Sequence, residues 1–431
     1  MHENCLTASR VNSKWAAVDG LFGVVMRGHR QRIYNANHFL SHIMVSSVRN
    51  LLALVGLTIL VLYFAQHFPQ MQKGMDFADF YAAARMVRDG HGHDLYLLTA
   101  QDQYLARYSG RVGTYFIHPP FEALIYLPFS YFTVPFGYGL WCAFNAVLLL
   151  LAARLLANGL FPGRWPLLVL ISLVFVPLLL DFMQGQDSIL LLYLLCAAFV
   201  EWQQKHDFSA GCLLAGGLIK FHLAIPIAIM MAFNASRRFL SGFSVVALGL
   251  LAVSAGIVGG QGLLSYPGFL VQLRDSPSAG LHSHAMANFR GLFATVMPQD
   301  QRLALGLTIG SSILTLAFAV HAARRSGNIK RQELVWAGAV LLATLVSYHL
   351  SPHDLTILLL VIAVILHHLL TADTVPKSRR IWFLLGAGVL LLPPLHVILL
   401  ARHAYAQVSL VAMFLFCLTC LEISRVSALR P

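Results

Sequence analysis

The sequence predicts an all-α polytopic membrane protein of about twelve transmembrane helices. Three observations lead there. The chain is 58% hydrophobic and only 11% charged, whereas charged residues make up about a quarter of an ordinary soluble domain. Its mean hydropathy is +0.70. Apolar runs of about 17–25 residues recur, the length that crosses a hydrocarbon core. Lipid admits only helices and closed barrels, because it satisfies no backbone hydrogen bonds. Long uncharged, largely apolar stretches such as 169–180 and 341–346, with no period-two alternation, favour helices.

Residues 1–48 form a polar, basic tail, and 49–431 a single membrane domain. No apolar segment ending in a small-residue cleavage site precedes the first span, so that span reads as a retained anchor. Spans are expected near 51–67, 120–134, 138–156, 166–181, 188–202, 209–233, 240–258, 303–323, 334–350, 354–371, 381–400 and 405–422. Basic clusters orient them: Arg27, Arg30 and Arg32 in the tail, Arg237-Arg238, Arg324-Arg325 with Lys330-Arg331, and Lys377 with Arg379-Arg380. The positive-inside rule puts these in the cytoplasm, and the loops 68–118, 259–302 and 349–354 outside. Two stretches stay open. Residues 120–134, with Pro128, either cross or dip in; 209–233 is one span or two short ones broken around Lys220. Each choice flips the side of the Gln184–Asp187 turn.

The net charge of +12 follows from those loop clusters and gives no reason to expect nucleic acid. Six cysteines, two of which (Cys417 and Cys420) lie one helical turn apart on an apolar segment, read as small core residues. The acids are more informative. Of 18 in the chain, five (Asp76, Asp79, Asp89, Asp94, Asp102) lie in the loop 68–118. Within it, Phe77, Phe80, Tyr81, Ala84 and Val87 recur at helical spacing beside Asp79, Arg85 and Arg88. That pattern predicts an amphipathic helix lying on the membrane surface, ended by Gly90 and Gly92. The polar segment 99–108 predicts a second.

Asp76 stands where the first span gives way to this helix. A carboxylate there serves either as a helix cap or as a general base for an attacking hydroxyl, and spacing alone leaves both open. Lys220 sits inside an apolar stretch, where an ionisable group is a functional candidate unless it snorkels to the interface. His222 lies beside it. His349, His353 and Asp354 occupy a turn between two spans, which reads equally as a capping turn. Gln184, Gln186 and Asp187 form another polar turn, suited to sugar hydroxyls. His118 can pair with Glu122. His282-Ser283-His284 is too sparse to predict a metal, and no metal or cofactor is expected.

These residues carry a resemblance. Asp-Phe-x-x-x-Tyr-x-Ala-Ala at 76–84 precedes Gly90 and Asp94-Leu95-Tyr96; His118-Pro119-Pro120, Gly185-Gln186, Lys220 and Asn288-Phe289-Arg290-Gly291-Leu292 follow in order. Over about 51–370 the chain resembles glycosyltransferase family 87, the polyprenyl-phosphate-mannose-dependent enzymes of the GT-C superfamily. The resemblance implies a GT-C bundle whose first extracytoplasmic loop carries the catalytic base, at Asp76. It implies a substrate site drawn from Asp79, Tyr81, Arg85, His118, Gln186, Lys220, His222, Asn288, Arg290, His349 and His353. The implied reaction moves a hexose, by default mannose, with inversion, from a polyprenyl-phosphate sugar to a lipid or glycan acceptor. The implied place is a bacterial inner (plasma) membrane, with the site facing the periplasm or exterior. No Walker A or dinucleotide fingerprint appears, which fits a lipid-phosphate donor that carries its own leaving group. Two rival readings are a secondary transporter or lipid flippase built around Lys220, and a non-catalytic subunit of an envelope-polysaccharide complex. The transporter reading expects a matching helix break in each half, and the second half shows none.

Overall fold

The structure is a computed structural model describing residues 75–233, 236–273, 283–325, 333–372 and 375–428. The basic tail, the expected first span at 51–67, the segment 68–74, His282 and the Lys330-Arg331 pair lie outside the described residues. Every regular element among the described residues is helical. The α-helices of eight residues or more are α1 (Met75–Arg88), α2 (Leu98–Ser109), α3 (Val134–Leu160), α4 (Trp165–Leu173), α5 (Val176–Gln184), α6 (Ser188–Gln203), α7 (Asp207–Gly216) and α8 (Phe221–Ala232). They continue with α9 (Arg237–Leu273), α10 (Phe289–Val296), α11 (Gln301–Arg325), α12 (Glu333–Val346), α13 (Leu358–Thr371), α14 (Lys377–Leu390), α15 (Pro393–Ala401) and α16 (Val408–Ala428).

Six helical stretches are long and apolar enough to cross a bilayer, and two bent pairs raise the number to eight. This corrects several expected spans. Residues 120–134 contain no helix of crossing length; they fold as short turns at Pro120–Glu122, Ala123–Tyr126 and Leu127–Tyr131. Pro119-Pro120 and Pro128 supply no backbone N–H, so a regular ladder cannot run through them. The expected spans at 188–202 and 334–350 are helices of 16 and 14 residues. The spans at 166–181 and 381–400 are bent by 75° and 53°, each just before a proline that removes a donor from the following turn. The stretch Asp207–Ala232 passes as one span, but its middle tightens to a 3-10 turn at Gly217–Lys220.

Burial separates two environments. In α9 and α11 only 17% and 11% of the most apolar window is buried, against 78% in Pro352–Thr371. The first two therefore present Val245, Leu248, Ile313 and Leu314 outward, as lipid-facing helices do. The third runs through the centre, packed on α12 and α6. A close helix crossing joins α7 to α9. A Cβ at Gly211 would overlap the Phe239 carbonyl oxygen, and one at Gly242 the Phe208 carbonyl oxygen. Small residues at such a crossing let backbones approach, the main source of helix association in lipid.

The loop helix α1 departs from the surface helix expected of it. Phe77, Phe80, Tyr81, Ala84 and Met86 are buried, but so are Ala78, Ala82 and Ala83 from the other face. It is enclosed by α2, by the turns over 120–131 and by α5. Phe80 stacks on Tyr126 at 4.4 Å, and Tyr126 leans on Trp141 of α3 at 4.3 Å. The aromatic content of the loop thus builds a second core, where a flat amphipathic helix would have left half of itself in water.

The α7–α9 crossing can be tested directly. Gly211→Val or Gly242→Val should each lower the thermal midpoint in detergent, since overpacking costs about 1–3 kcal/mol. Gly249→Val, on the same α9 but with nothing near its added Cβ, should leave it unchanged.

Candidate active site

Two dipeptides far apart in sequence interlock. Gly185 ends α5 in the left-handed region, at φ 67°, which only glycine adopts without strain. A Cβ on it would strike the Phe77 side chain, so Gly185 lets the end of α5 lie against the start of α1. Gln186 follows at once, and its Nε2 donates to Asp76 Oδ2 at 2.7 Å. Asp76 lies in the first turn of α1, and no described residue hydrogen-bonds its other oxygen. Both Asp76 and Gln186 line a cavity of about 420 Å³, within the size range of small-ligand sites.

Behind Gln186 lies Lys220, 2% exposed, so it does not snorkel. Its Nζ contacts Asp187 Oδ1 and Asp354 Oδ1, each at 2.9 Å, and donates to Gln186 Oε1 at 3.3 Å. Two ion pairs and one hydrogen bond thus surround the ammonium. Asp354 serves two ends: Oδ2 accepts from the Ser351 backbone N–H at 2.7 Å, closing a capping box, while Oδ1 also accepts from Ser188 Oγ at 3.1 Å. The capping role expected of Asp354 and a charge-pairing role therefore coexist. Asp181, unremarked in the sequence, accepts from the Ser188 and Ile189 N–H groups at 3.0 and 3.2 Å and so caps α6.

The rest of the cavity wall gathers most of the expected residues: Asp79, His118, His222, His349 and His353. Asp79 accepts from Thr114 Oγ1 at 2.7 Å. Burial, reinforced by the Asp76 carboxylate, pushes its pKa up to about 7 despite that bond and the distant Arg111. His118 Nδ1 lies 3.0 Å from Glu122, as the sequence allows; its backbone oxygen takes a bond from Tyr96 Oη at 2.8 Å. His222 Nδ1 bonds Ser347 Oγ at 2.8 Å, and that hydroxyl donates to the His349 carbonyl. His349 Nδ1 has no hydrogen-bond partner. His353 Nδ1 donates to Gln184 Oε1.

Four expected site residues stand back from the cavity. Tyr81 donates to the Phe132 carbonyl at 2.8 Å, and Arg85 bonds the Ser130 carbonyl and Tyr108 Oη at 3.2 and 2.6 Å. They fasten α1 to the 127–132 segment. Asn288 caps α10 through Gly291 N at 2.8 Å and donates to the Ser347 carbonyl at 2.9 Å. Arg290 reaches the Tyr348 carbonyl at 3.1 Å and lies over the Tyr348 ring at 5.0 Å, so it touches the cavity only through Tyr348. Thr114 and Tyr348 are wall residues that the sequence did not single out; isolated hydroxyls in a loop give no periodic signal. Among the described residues, His118, Glu122 and Asp187 stand at metal-ligand spacing.

Two outcomes follow. Lys220→Met strands Asp187 and Asp354 together in the interior and should cost about 3–5 kcal/mol, read as a large fall in thermal midpoint. Asp79 has a folded pKa above its unfolded value, so its contribution to stability is full below about pH 4 and is lost as the pH rises towards 7. Asp79→Asn removes that loss, and the midpoint of the variant relative to wild type should rise between pH 5 and pH 8.

No curated protein and no solved structure matches the chain. The model of glycosyltransferase family 87 matches residues 116–352, more than half of the sequence, and takes in His118, Gln186, Lys220, Asn288 and His349. With that match and several helices fit to cross a membrane, the chain belongs to glycosyltransferase family 87.

Proposed function

We propose that this glycosyltransferase moves a hexose, with mannose the default, from a polyprenyl-phosphate sugar to a hydroxyl of a lipid or glycan acceptor, with inversion and with Asp76 as general base. The observation that carries the reading is the bond from Gln186 to Asp76 Oδ2, which turns the carboxylate to a fixed angle at the cavity wall. Asp76 Oδ1 then takes the proton of the acceptor hydroxyl. The freed oxygen attacks the anomeric carbon opposite the phosphate, the bond from that carbon to phosphate oxygen breaks, and polyprenyl phosphate departs with the electron pair. Positioned proton transfer of this kind contributes about 10²–10⁴-fold.

A buried ammonium such as Lys220 suits a departing phosphate by its charge. Its ion pairs to Asp187 and Asp354 and its hydrogen bond to Gln186 argue for another task, holding Gln186 Oε1 so that Nε2 faces Asp76. The leaving phosphate falls instead to His349, whose Nδ1 is unpaired, with His222 and His353 beside it and Arg290 behind Tyr348. Such groups count for more in a site that excludes water.

Helix direction supports an extracytoplasmic site of GT-C type. The helix α9 begins at Arg237-Arg238, kinks at Gly259 (φ 73°), and beyond the kink brings Leu270 and Leu273 to the cavity. The stretch Pro352–Thr371 begins at the cavity, and its 20 residues extend about 30 Å. Its far end meets Glu422, which holds Arg379 at 2.8 Å and also Arg425. Basic residues thus collect a membrane's thickness from the cavity, the arrangement the positive-inside rule gives when the cavity faces outward.

The test is transfer by purified protein from radiolabelled polyprenyl-phosphate sugars to a lipid extract. Asp76→Asn should lower kcat by about 10²–10⁴-fold with a folded protein. Gln186→Ala should lower kcat by a smaller factor, and Gln186→Glu should move the acid limb of the pH–rate profile upward, because a second carboxylate beside Asp76 disfavours its charged form. Equal rates for Asp76→Asn and wild type would remove the base assignment. Movement of substrate across liposomes with no glycosidic product would favour transport.

A further inference from the structure

We propose that His118, Glu122 and Asp187 bind one divalent cation behind the cavity wall. The three side chains come from two separate segments. His118 and Glu122 flank the Pro119-Pro120 elbow, and Asp187 ends the turn between α5 and α6. One ligating atom of each lies within 4.8 Å of the other two, the spacing of groups that share an ion. His118 Nδ1 is 3.0 Å from Glu122. Glu122 and Asp187 are both 0% exposed; Glu122 Oε1, the oxygen nearest His118, and both Asp187 oxygens make no hydrogen bond. Buried carboxylate oxygens without partners are costly, and a metal is one of the few groups that relieve two at once.

Charge count gives the same answer independently. Glu122, Asp181, Asp187 and Asp354 are buried carboxylates around this point, and among the described residues Lys220 is the one ammonium in contact with them, through Asp187 and Asp354. Carboxylates therefore outnumber the one ammonium at this point, and a divalent ion offsets that excess. Lys220 sits on Asp187 Oδ1, which leaves Oδ2 free to face the ion. One imidazole and two carboxylates form a mixed nitrogen–oxygen set, suited to Mn²⁺ or Zn²⁺ over soft thiophilic ions. A cation there would clamp the 118–122 elbow to the turn that carries Gln186, and so steady the residue that orients Asp76. The site stands on these three residues and does not require the sugar transfer proposed above.

The experiment uses the full chain in detergent, stripped with a chelator and titrated with MnCl₂ alone. Bound ion is read from loss of the free Mn²⁺ paramagnetic signal, and folding from the thermal midpoint. Wild type should bind one equivalent and gain thermal stability on binding. Glu122→Gln and Asp187→Asn should each weaken binding by about tenfold or more, while Glu201→Gln, an acid outside the network, should bind as wild type. Should a ligand variant fail to fold, anomalous scattering at the Mn edge from wild-type crystals places or excludes the ion at the three side chains. The proposal is overturned by no binding to wild type at millimolar Mn²⁺. It is equally overturned by undiminished binding in folded Glu122→Gln and Asp187→Asn, which would leave a proton shared between the two carboxylates as the means of charge balance. None of these readouts depends on catalysis, so they stand whether or not sugar transfer is observed.

Discussion

A single ammonium inside an apolar helical bundle sets conditions on everything around it. Lys220 cannot remain charged there without partners, and the partners it has come from two segments: Gln186 and Asp187 from the turn after α5, and Asp354 from the turn before α13. Each partner is itself held. Asp354 is fixed by Ser351 N and Ser188 Oγ, and Asp187 lies one residue from the start of α6. Convergence of these segments gives the cavity a polar floor, while Leu270, Leu273 and Leu400 give it an apolar side. Replacing such a network with well-packed apolar groups is often neutral or stabilising for a fold. Its retention in this bundle therefore makes better sense as a way of orienting polar atoms than as a source of stability.

The polar atom it orients most directly is the Gln186 amide. Lys220 takes Oε1, so Nε2 is left to donate, and its acceptor is Asp76 Oδ2. A glutamine without the lysine could present either face of its amide; with the lysine one face is preferred. The backbone reinforces this, since Gly185 packs on Phe77, the residue next to Asp76. Register between the two dipeptides is thus set by packing and by hydrogen bonding together. That double constraint is what a base requires if its carboxylate is to meet an acceptor at a reproducible angle.

The fold class was legible from composition because lipid imposes it so strictly, and the helices α3, α9, α11 and α16 lie where long apolar runs put them. The order of short motifs likewise pointed to the family and to most of the cavity wall. What the sequence concealed has specific physical causes. The periodicity of 77–88 shows one apolar face, but alanines on the other face are small enough to be buried as well, so an enclosed helix resembled a surface one. Tyr81 and Arg85 carried the residue types of a sugar site, yet a loop of this length also needs bonds to fasten it, and Ser130, Phe132 and Tyr108 take them. Asp181 and Thr114 gave no periodic or motif signal, because capping a helix or bonding one carboxylate calls only for proximity in space. Glu122 was visible as a partner for His118, but its approach to Asp187 joins residues 65 positions apart that no spacing rule connects.

The expected count of twelve spans rested on hydropathy, and hydropathy cannot tell a crossing helix from one that stops halfway. The helices α6 and α12, of 16 and 14 residues, are about 24 and 21 Å long, short of a hydrocarbon core of about 30 Å. Both stop at the cavity: α6 starts at Ser188, bonded to Asp354, and α12 runs into Ser347, bonded to His222 and Asn288. The turn Gly217–Lys220 interrupts a third stretch at the same place. Irregular backbone at membrane depth is tolerated only where protein or a water-filled space satisfies it, and here Asp181, Asp354, Asn288 and Ser347 supply the bonds. Short helices and the polar site are therefore one feature. The chain forgoes full crossings at the points where the ends of its helices, with their free backbone groups and capping side chains, build the cavity floor beside Asp76.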